Sequence, residues 1–256
     1  MHNDRSTAVI GETSGIAVPG AETPMGLYVS RPAGRGPWPA VIVGFELFGT
    51  TPYIRRVADR LAGLGLLAVV PDFHHRAEPG FAAAADAEGR ARGFALLDRL
   101  TREEVAADLR ALVARLEERG NTVGRPSMAG FSLGGHLAYF AATRLPLERV
   151  AAVHPGWLDT AGTALSRPEP LLDLTPGIAA QGGCRVLYLV GGDDRVATPA
   201  QTERVAARLT AAGVPHEVVV YPGVPHGFLA DERDTYRRAA AEDAWRRLAA
   251  FLAPGA

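Results

Sequence analysis

The chain has 256 residues, one cysteine and a formal net charge of −1; one domain is the default at that length, with room for a substantial core. The charge balance carries no basic footprint for nucleic acid, the apolar runs are far shorter than a membrane span, and Met1 to Arg5 lacks a cationic-then-apolar leader pattern. Cys184 has no partner for an internal disulfide, which suits the cytoplasm, and all 27 cationic side chains are arginine, which excludes chemistry that needs a lysine ammonium, such as a P-loop or a Schiff base.

In chain order, residues 1–24 read as an N-terminal extension or early strands, and Met25 to Ser30 as a strand. Ala40 to Phe45 is a continuous apolar run, as expected of a strand covered on both faces. Tyr53 to Leu64 is helical, with Ile54, Val57, Ala58 and Leu61 on one side. Leu66 to Val70 is the next strand, stopped by Pro71. Residues 73–100 are rich in Ala and Arg and weakly patterned, as an excursion over a site would be. Thr101-Arg102-Glu103-Glu104 is a capping box that opens a helix buried through Val105, Leu109, Leu112, Val113 and Leu116. Pro126 to Ala129 is a short strand, Leu133 to Leu145 a helix, and Arg149 to Val153 a strand. Arg185 to Val190 and His216 to Tyr221 are strands, and Pro199 to Ala212 and Asp234 to Leu252 are amphipathic helices. Repeated βα units imply an α/β fold with a mostly parallel central sheet and helices on both faces, in a single domain over 1–256.

Between the short strand and its helix stands Gly130-Phe131-Ser132-Leu133-Gly134, a G-x-S-x-G pattern. Such a serine sits on a tight strand-to-helix turn, where a side chain at either glycine would crowd the chain. Two elements follow in the order serine, acid, histidine: Asp193-Asp194 at the end of one strand and His226 after the turn Pro222-Gly223-Val224-Pro225. A serine hydroxyl needs an imidazole to take its proton and an acid to orient that imidazole. Ser132, His226 and one of the tandem aspartates supply that set, all in loops at the C-terminal ends of parallel strands.

With these motifs the sequence resembles the dienelactone hydrolase family of the α/β-hydrolase fold over roughly residues 25 to 252. The distinctive part is Gly44-Phe45-Glu46-Leu47-Phe48-Gly49, followed by a helix and Val69-Val70-Pro71-Asp72. The resemblance implies an oxyanion hole from the N–H groups of Leu47 and Leu133, a glutamate at Glu46 beside the nucleophile, and the register Gly-x-x-Asp, which selects Asp194 over Asp193. It also implies arginines that grip a substrate carboxylate. Arg90 falls near one such position, with Arg92 the close alternative. The second is missing where Leu229 and Ala230 follow Phe228, and Arg233 is nearby but offset. The nucleophile departs from the family's usual cysteine. With a serine, two roles are open to Glu46: a resting hydrogen bond to Ser132, or an electrostatic action on His226.

The expected reaction is hydrolysis of a small ester or lactone through an acyl-enzyme, without a cofactor. A general carboxylesterase or thioesterase and a non-catalytic binding protein on the same fold are the competing readings. No spacing suits a metal site. His74 and His75 are adjacent and diverge, His136 is helical and structural, and His154, Trp157 and Phe228 are candidates for pocket lining or core.

Overall fold

The computed structural model describes residues 8–253. The ends of the 1–24 and 1–256 assignments, and the reading of Met1 to Arg5, therefore lie partly or wholly outside the described residues. Eight strands form one sheet: β1 (Val9–Ile16), β2 (Met25–Pro32), β3 (Trp38–Gly44), β4 (Leu67–Pro71), β5 (Thr122–Phe131), β6 (Arg149–Val153), β7 (Arg185–Gly191) and β8 (His216–Tyr221). Their order is β1-β2-β4-β3-β5-β6-β7-β8. The β1–β2 and β2–β4 pairs are antiparallel, and every pair from β4 through β3 to β8 is parallel. The helices are α1 (Pro52–Gly63), α2 (Ala87–Leu97), α3 (Arg102–Glu118), α4 (Leu133–Ala142), the short α5 (Pro176–Ala180), α6 (Pro199–Ala211) and α7 (Arg238–Leu252).

The central strands are apolar at consecutive positions because both faces of the sheet are covered. All five residues of β4 and all five of β6 are buried. The helices begin where the sequence offers caps. The Thr51 hydroxyl accepts from the Ile54 N–H ahead of Pro52, and Tyr53, Ile54, Val57, Ala58 and Leu61 turn inward from α1. At α3 the Thr101 hydroxyl accepts from the Glu104 N–H and donates to the Glu104 carboxylate. The helix buries Val105, Leu109, Leu112 and Leu116; Val113 is only half-buried. Among the described residues no helix is long and apolar enough to cross a membrane.

Several bounds differ from the sequence reading by one to three residues, among them α4, which ends at Ala142 rather than Leu145, and β4, which runs through Pro71; three departures are larger. β5 is longer than Pro126 to Ala129, because Trp38 and Pro39 of β3 pair with Thr122 and Val123 before the register shifts. The last helix starts at Arg238 rather than Asp234. The preceding residues are held as a loop by Tyr236 N–H donating to Arg233 O and Arg237 N–H to Phe228 O. The stretch 73–100 contains α2, whose Gly89 and Gly93 are buried. A Cβ built at Gly93 would lie 2.3 Å from Leu47 O, so this excursion packs directly on the loop after β3.

Candidate active site

The parallel strands β3, β5, β6, β7 and β8 deliver their following loops to one edge of the sheet. That edge gathers Glu46 and Leu47, Ser132, His154, Asp194 and His226. Ser132 occupies the turn between β5 and α4 with φ 54° and ψ −112°, a left-handed conformation that costs a non-glycine residue free energy. Its hydroxyl makes no capping bond to α4. Ser132 is therefore not a helix cap, and its side chain is free for another partner.

The two motif glycines are needed for space. A Cβ on Gly130 would lie 1.9 Å from Gly134 O, and one on Gly134 would lie 2.1 Å from Gly44 O. Backbone rests on backbone here, with β3, β5 and α4 meeting at the turn.

The partner of Ser132 is His226: Oγ lies 2.8 Å from Nε2. On the other side of the ring, Nδ1 lies 2.8 Å from Asp194 Oδ2. The Asp194 side chain is fully enclosed, and its Oδ1 accepts from the N–H groups of Val196 and Ala197 at 2.7 and 2.8 Å. Asp193 is exposed and takes no part in this chain of bonds. The acid and histidine loops meet because Gly191 leaves no gap: a Cβ there would sit 2.0 Å from Val224 O. The N–H groups of Leu47 and Leu133 donate to no acceptor among the described residues. An oriented hydroxyl, a base, a buried acid and two unused donors are together what acyl transfer requires.

Glu46 is 3% exposed, so it is no surface carboxylate. It does not bond to Ser132, whose hydroxyl faces His226. Instead Arg233 grips it with two parallel bonds, Nη1 to Oε1 at 2.9 Å and Nη2 to Oε2 at 2.5 Å. The guanidinium also lies over Phe48 and Tyr53. Burial, and next the charge of Glu46, hold the Tyr53 hydroxyl well above the usual tyrosine range. The sequence shows Arg233 only as an offset arginine. Nothing in local pattern marks a pair 187 residues apart.

Arg90 lies exposed on α2 and forms no side-chain hydrogen bond or ion pair among the described residues. Arg92 is committed to Glu78 and lies over Phe81. Four residues beyond Arg90, Phe94 meets Trp157 edge to face at 5.8 Å, so α2 reaches the loop after β6. His136 Nδ1 donates to Gly156 O over 2.9 Å, which gives it the structural role expected of it. Phe228 is fully buried, against Tyr221 and His154. An open cavity of about 650 Å³ lies beside His226, lined by Asp194, Arg195, Pro199, Pro225 and Thr235. Among the described residues no group of three or more His, Cys, Asp or Glu side chains is arranged to hold a metal ion.

The dienelactone hydrolase family profile matches residues 25–255. A Synechocystis protein named for carboxymethylenebutenolidase activity is 32% identical over 243 residues, covering 93% of this chain and 94% of that one. A Bradyrhizobium protein named for 2-oxo-3-(5-oxofuran-2-ylidene)propanoate lactonase activity is 30% identical over 226 residues, 88% of this chain and 87% of its own. A crystal structure described as a dienelactone hydrolase of Klebsiella pneumoniae superposes with a TM-score of 0.83 at 28% identity, covering 96% of this chain and 99% of that one. By sequence over nearly its whole length and by fold, this chain belongs to the dienelactone hydrolase family of α/β-hydrolases.

Proposed function

We propose that this hydrolase of esters and lactones is a serine enzyme that works through an acyl-enzyme, with Ser132 as nucleophile. The observation that carries this reading is the unbroken chain Ser132 Oγ, His226, Asp194, with 2.8 Å at each contact. Ser132 Oγ attacks the carbonyl carbon as His226 Nε2 takes its proton. The oxyanion is received by the N–H groups of Leu47 and Leu133, donors commonly worth a few kcal/mol each. The tetrahedral intermediate collapses, the ester C–O bond breaks and the His226 proton passes to the leaving alkoxide. Water then gives its proton to His226 and its oxygen to the acyl carbon, releasing the acid and restoring Ser132. Asp194 stays ionised, holds the imidazole with Nε2 toward Ser132 and stabilises the imidazolium.

The substrate class is a small ester or lactone, with no cofactor. The Arg233 guanidinium, already paired with the buried Glu46, is not a free grip for a substrate carboxylate. Arg90, exposed and unpaired on α2, is the remaining candidate for that task. Neutral esters should therefore be accepted at least as readily as anionic ones.

The test is covalent. A fluorophosphonate should label the protein on Ser132 in a peptide map, and Ser132→Ala should remove both labelling and nearly all turnover of an activated ester while keeping the thermal transition. A well-folded Ser132→Ala protein that keeps more than about a tenth of wild-type kcat would overturn the assignment, since losing a triad member normally costs several orders of magnitude. An unlabelled, inactive wild-type protein would favour the binding-protein reading.

A further inference from the structure

A second imidazole lies against the first. His154 follows β6 and is 1% exposed. Its ring meets the His226 ring edge to face, with centroids 4.6 Å apart and planes at 66°. Behind it lies Phe228, at 5.8 Å. His154 has φ 38°, and with Ser132 and Trp157 it is one of three non-glycine residues described with positive φ. All three lie in loops at the same sheet edge. Such strain persists only where the surroundings over-determine it, and here they do. The His154 N–H donates to Leu189 O at 2.6 Å. Gln201 donates to Pro155 O and accepts from the Leu158 N–H, and His136 holds Gly156 O.

His154 Nδ1 is buried without a hydrogen-bond partner. What the loop delivers is the ring. Resting on the proposed serine mechanism, we infer that His154 is a positioning residue: its ring, packed against that of His226, fixes the plane of the imidazole that takes the Ser132 proton. A fixed plane keeps Nε2 aimed at the Ser132 hydroxyl, and geometry set in advance lowers the barrier to the proton transfer. A charge on the His154 ring would oppose the imidazolium that forms on His226. The ring can serve this way only while neutral. Burial, then the charges of His226 and Arg233, hold its proton affinity well below that of an ordinary histidine. The ionisable groups around His226 are thus Asp194, which faces Nδ1, His154, which stays uncharged, and Arg233, whose charge is matched by Glu46.

The test compares His154→Phe, which keeps an aromatic face, with His154→Leu and His154→Gln, which do not. All are made in the full-length protein, with kcat and KM for a 4-nitrophenyl ester measured from pH 5 to 9, alongside the thermal transition. Leu and Gln should each lower kcat by roughly tenfold with KM nearly unchanged and the acid limb of kcat/KM in place, because the His226 ring loses its fixed plane. Phe should stay within about threefold of wild type with the original limb. Wild-type kcat in the Gln or Leu variant would overturn the inference, and so would a Phe variant as slow as these two. A loss of kcat that tracks a fall in the thermal transition would also overturn it, as the mark of a packing role alone. Failure of the serine mechanism would show separately, as an absence of fluorophosphonate labelling on Ser132 in the unmutated protein.

Discussion

Two histidine–aspartate pairs lie among the described residues, and their local geometry is similar. His226 Nδ1 is 2.8 Å from Asp194, and His75 Nε2 is 3.1 Å from Asp108. They differ in what the other ring nitrogen faces. For His226 it is the Ser132 hydroxyl, on a ring left a quarter exposed beside an open cavity. For His75 it is the Thr23 carbonyl, 2.8 Å away, and both side chains of the pair are wholly enclosed. Arg76 closes the second cluster by bonding to both carboxylate oxygens of Asp108. Burial nonetheless pushes the Asp108 carboxyl above its ordinary range, against the pull of His75 and Arg76. A carboxylate beside an imidazole is therefore not a site in itself. One pair ties the loop after β4 to α3; the other has access to a hydroxyl and to an open cavity.

The sharpest way to break the comparison is to remove each carboxylate. Asp194→Asn should slow turnover by up to ~10⁴-fold, through loss of the favoured imidazole tautomer, with little change in the urea unfolding midpoint. Asp193→Asn should leave kcat near wild type, and a larger loss there than at Asp194 would reverse the assignment. Asp108→Asn should do the opposite. It should cost about 3 kcal/mol of stability, because it removes the charge from a wholly enclosed carboxylate that pairs with both His75 and half-buried Arg76, while the folded fraction keeps its kcat. If Asp108→Asn abolished turnover in folded protein, the two pairs would not be separate in function.

A smaller effect separates buried histidines by pH. Burial lowers His74 to about 4, and neither of its ring nitrogens has a partner. A group whose folded value is depressed holds its full stability above the unfolded value of about 6.5 and loses it as pH falls toward the folded value. His74→Phe should therefore lessen the stability lost between pH 7 and pH 5 by about 2 kcal/mol. Urea titrations at the two pH values would check this, and an unchanged difference would refute it. The smallest effect concerns Glu46. Glu46→Gln leaves Arg233 positive near the site, so the His226 imidazolium is disfavoured and the acid limb of kcat/KM should move to lower pH, by under about one unit. An unmoved limb would confine Glu46 to holding Arg233 in place.

The parts of this molecule that were legible in sequence are those set by local chemistry. β6 and β8 have the bounds that the apolar runs indicate: β6 is covered on both faces and apolar throughout, while β8, at the sheet edge with Glu217 and Val220 exposed, is marked by its β-branched run. Chain order placed Ser132, an aspartate and His226 on one sheet edge before any distance was known. The unread parts have particular causes. β1 is exposed at seven of its eight positions, so it has no apolar face to read. α2 meets Leu47 through Gly93 and the Ala83–Ala84 segment through Gly89, and its only large buried apolar residues are Leu96 and Leu97, which leaves little periodicity to read. Arg233 reaches Glu46 only because the chain between His226 and α7 runs as a loop. No spacing rule connects residues that far apart.

The contact of Gly44, Gly130 and Gly134 bears on how this protein could be altered. A library saturating these three positions should yield almost no folded alternatives, since even alanine at Gly130 or Gly134 would overlap a carbonyl oxygen. Gly93 belongs with them, because any side chain there would push on the loop that carries the Leu47 N–H. Exposed Arg90 and Phe94, on the same helix as Gly93, carry no such constraint. Selection for new substrates should therefore accumulate changes on the outer side of α2 and leave its glycine side untouched. A single helix would then have one face open to adaptation and one closed to it.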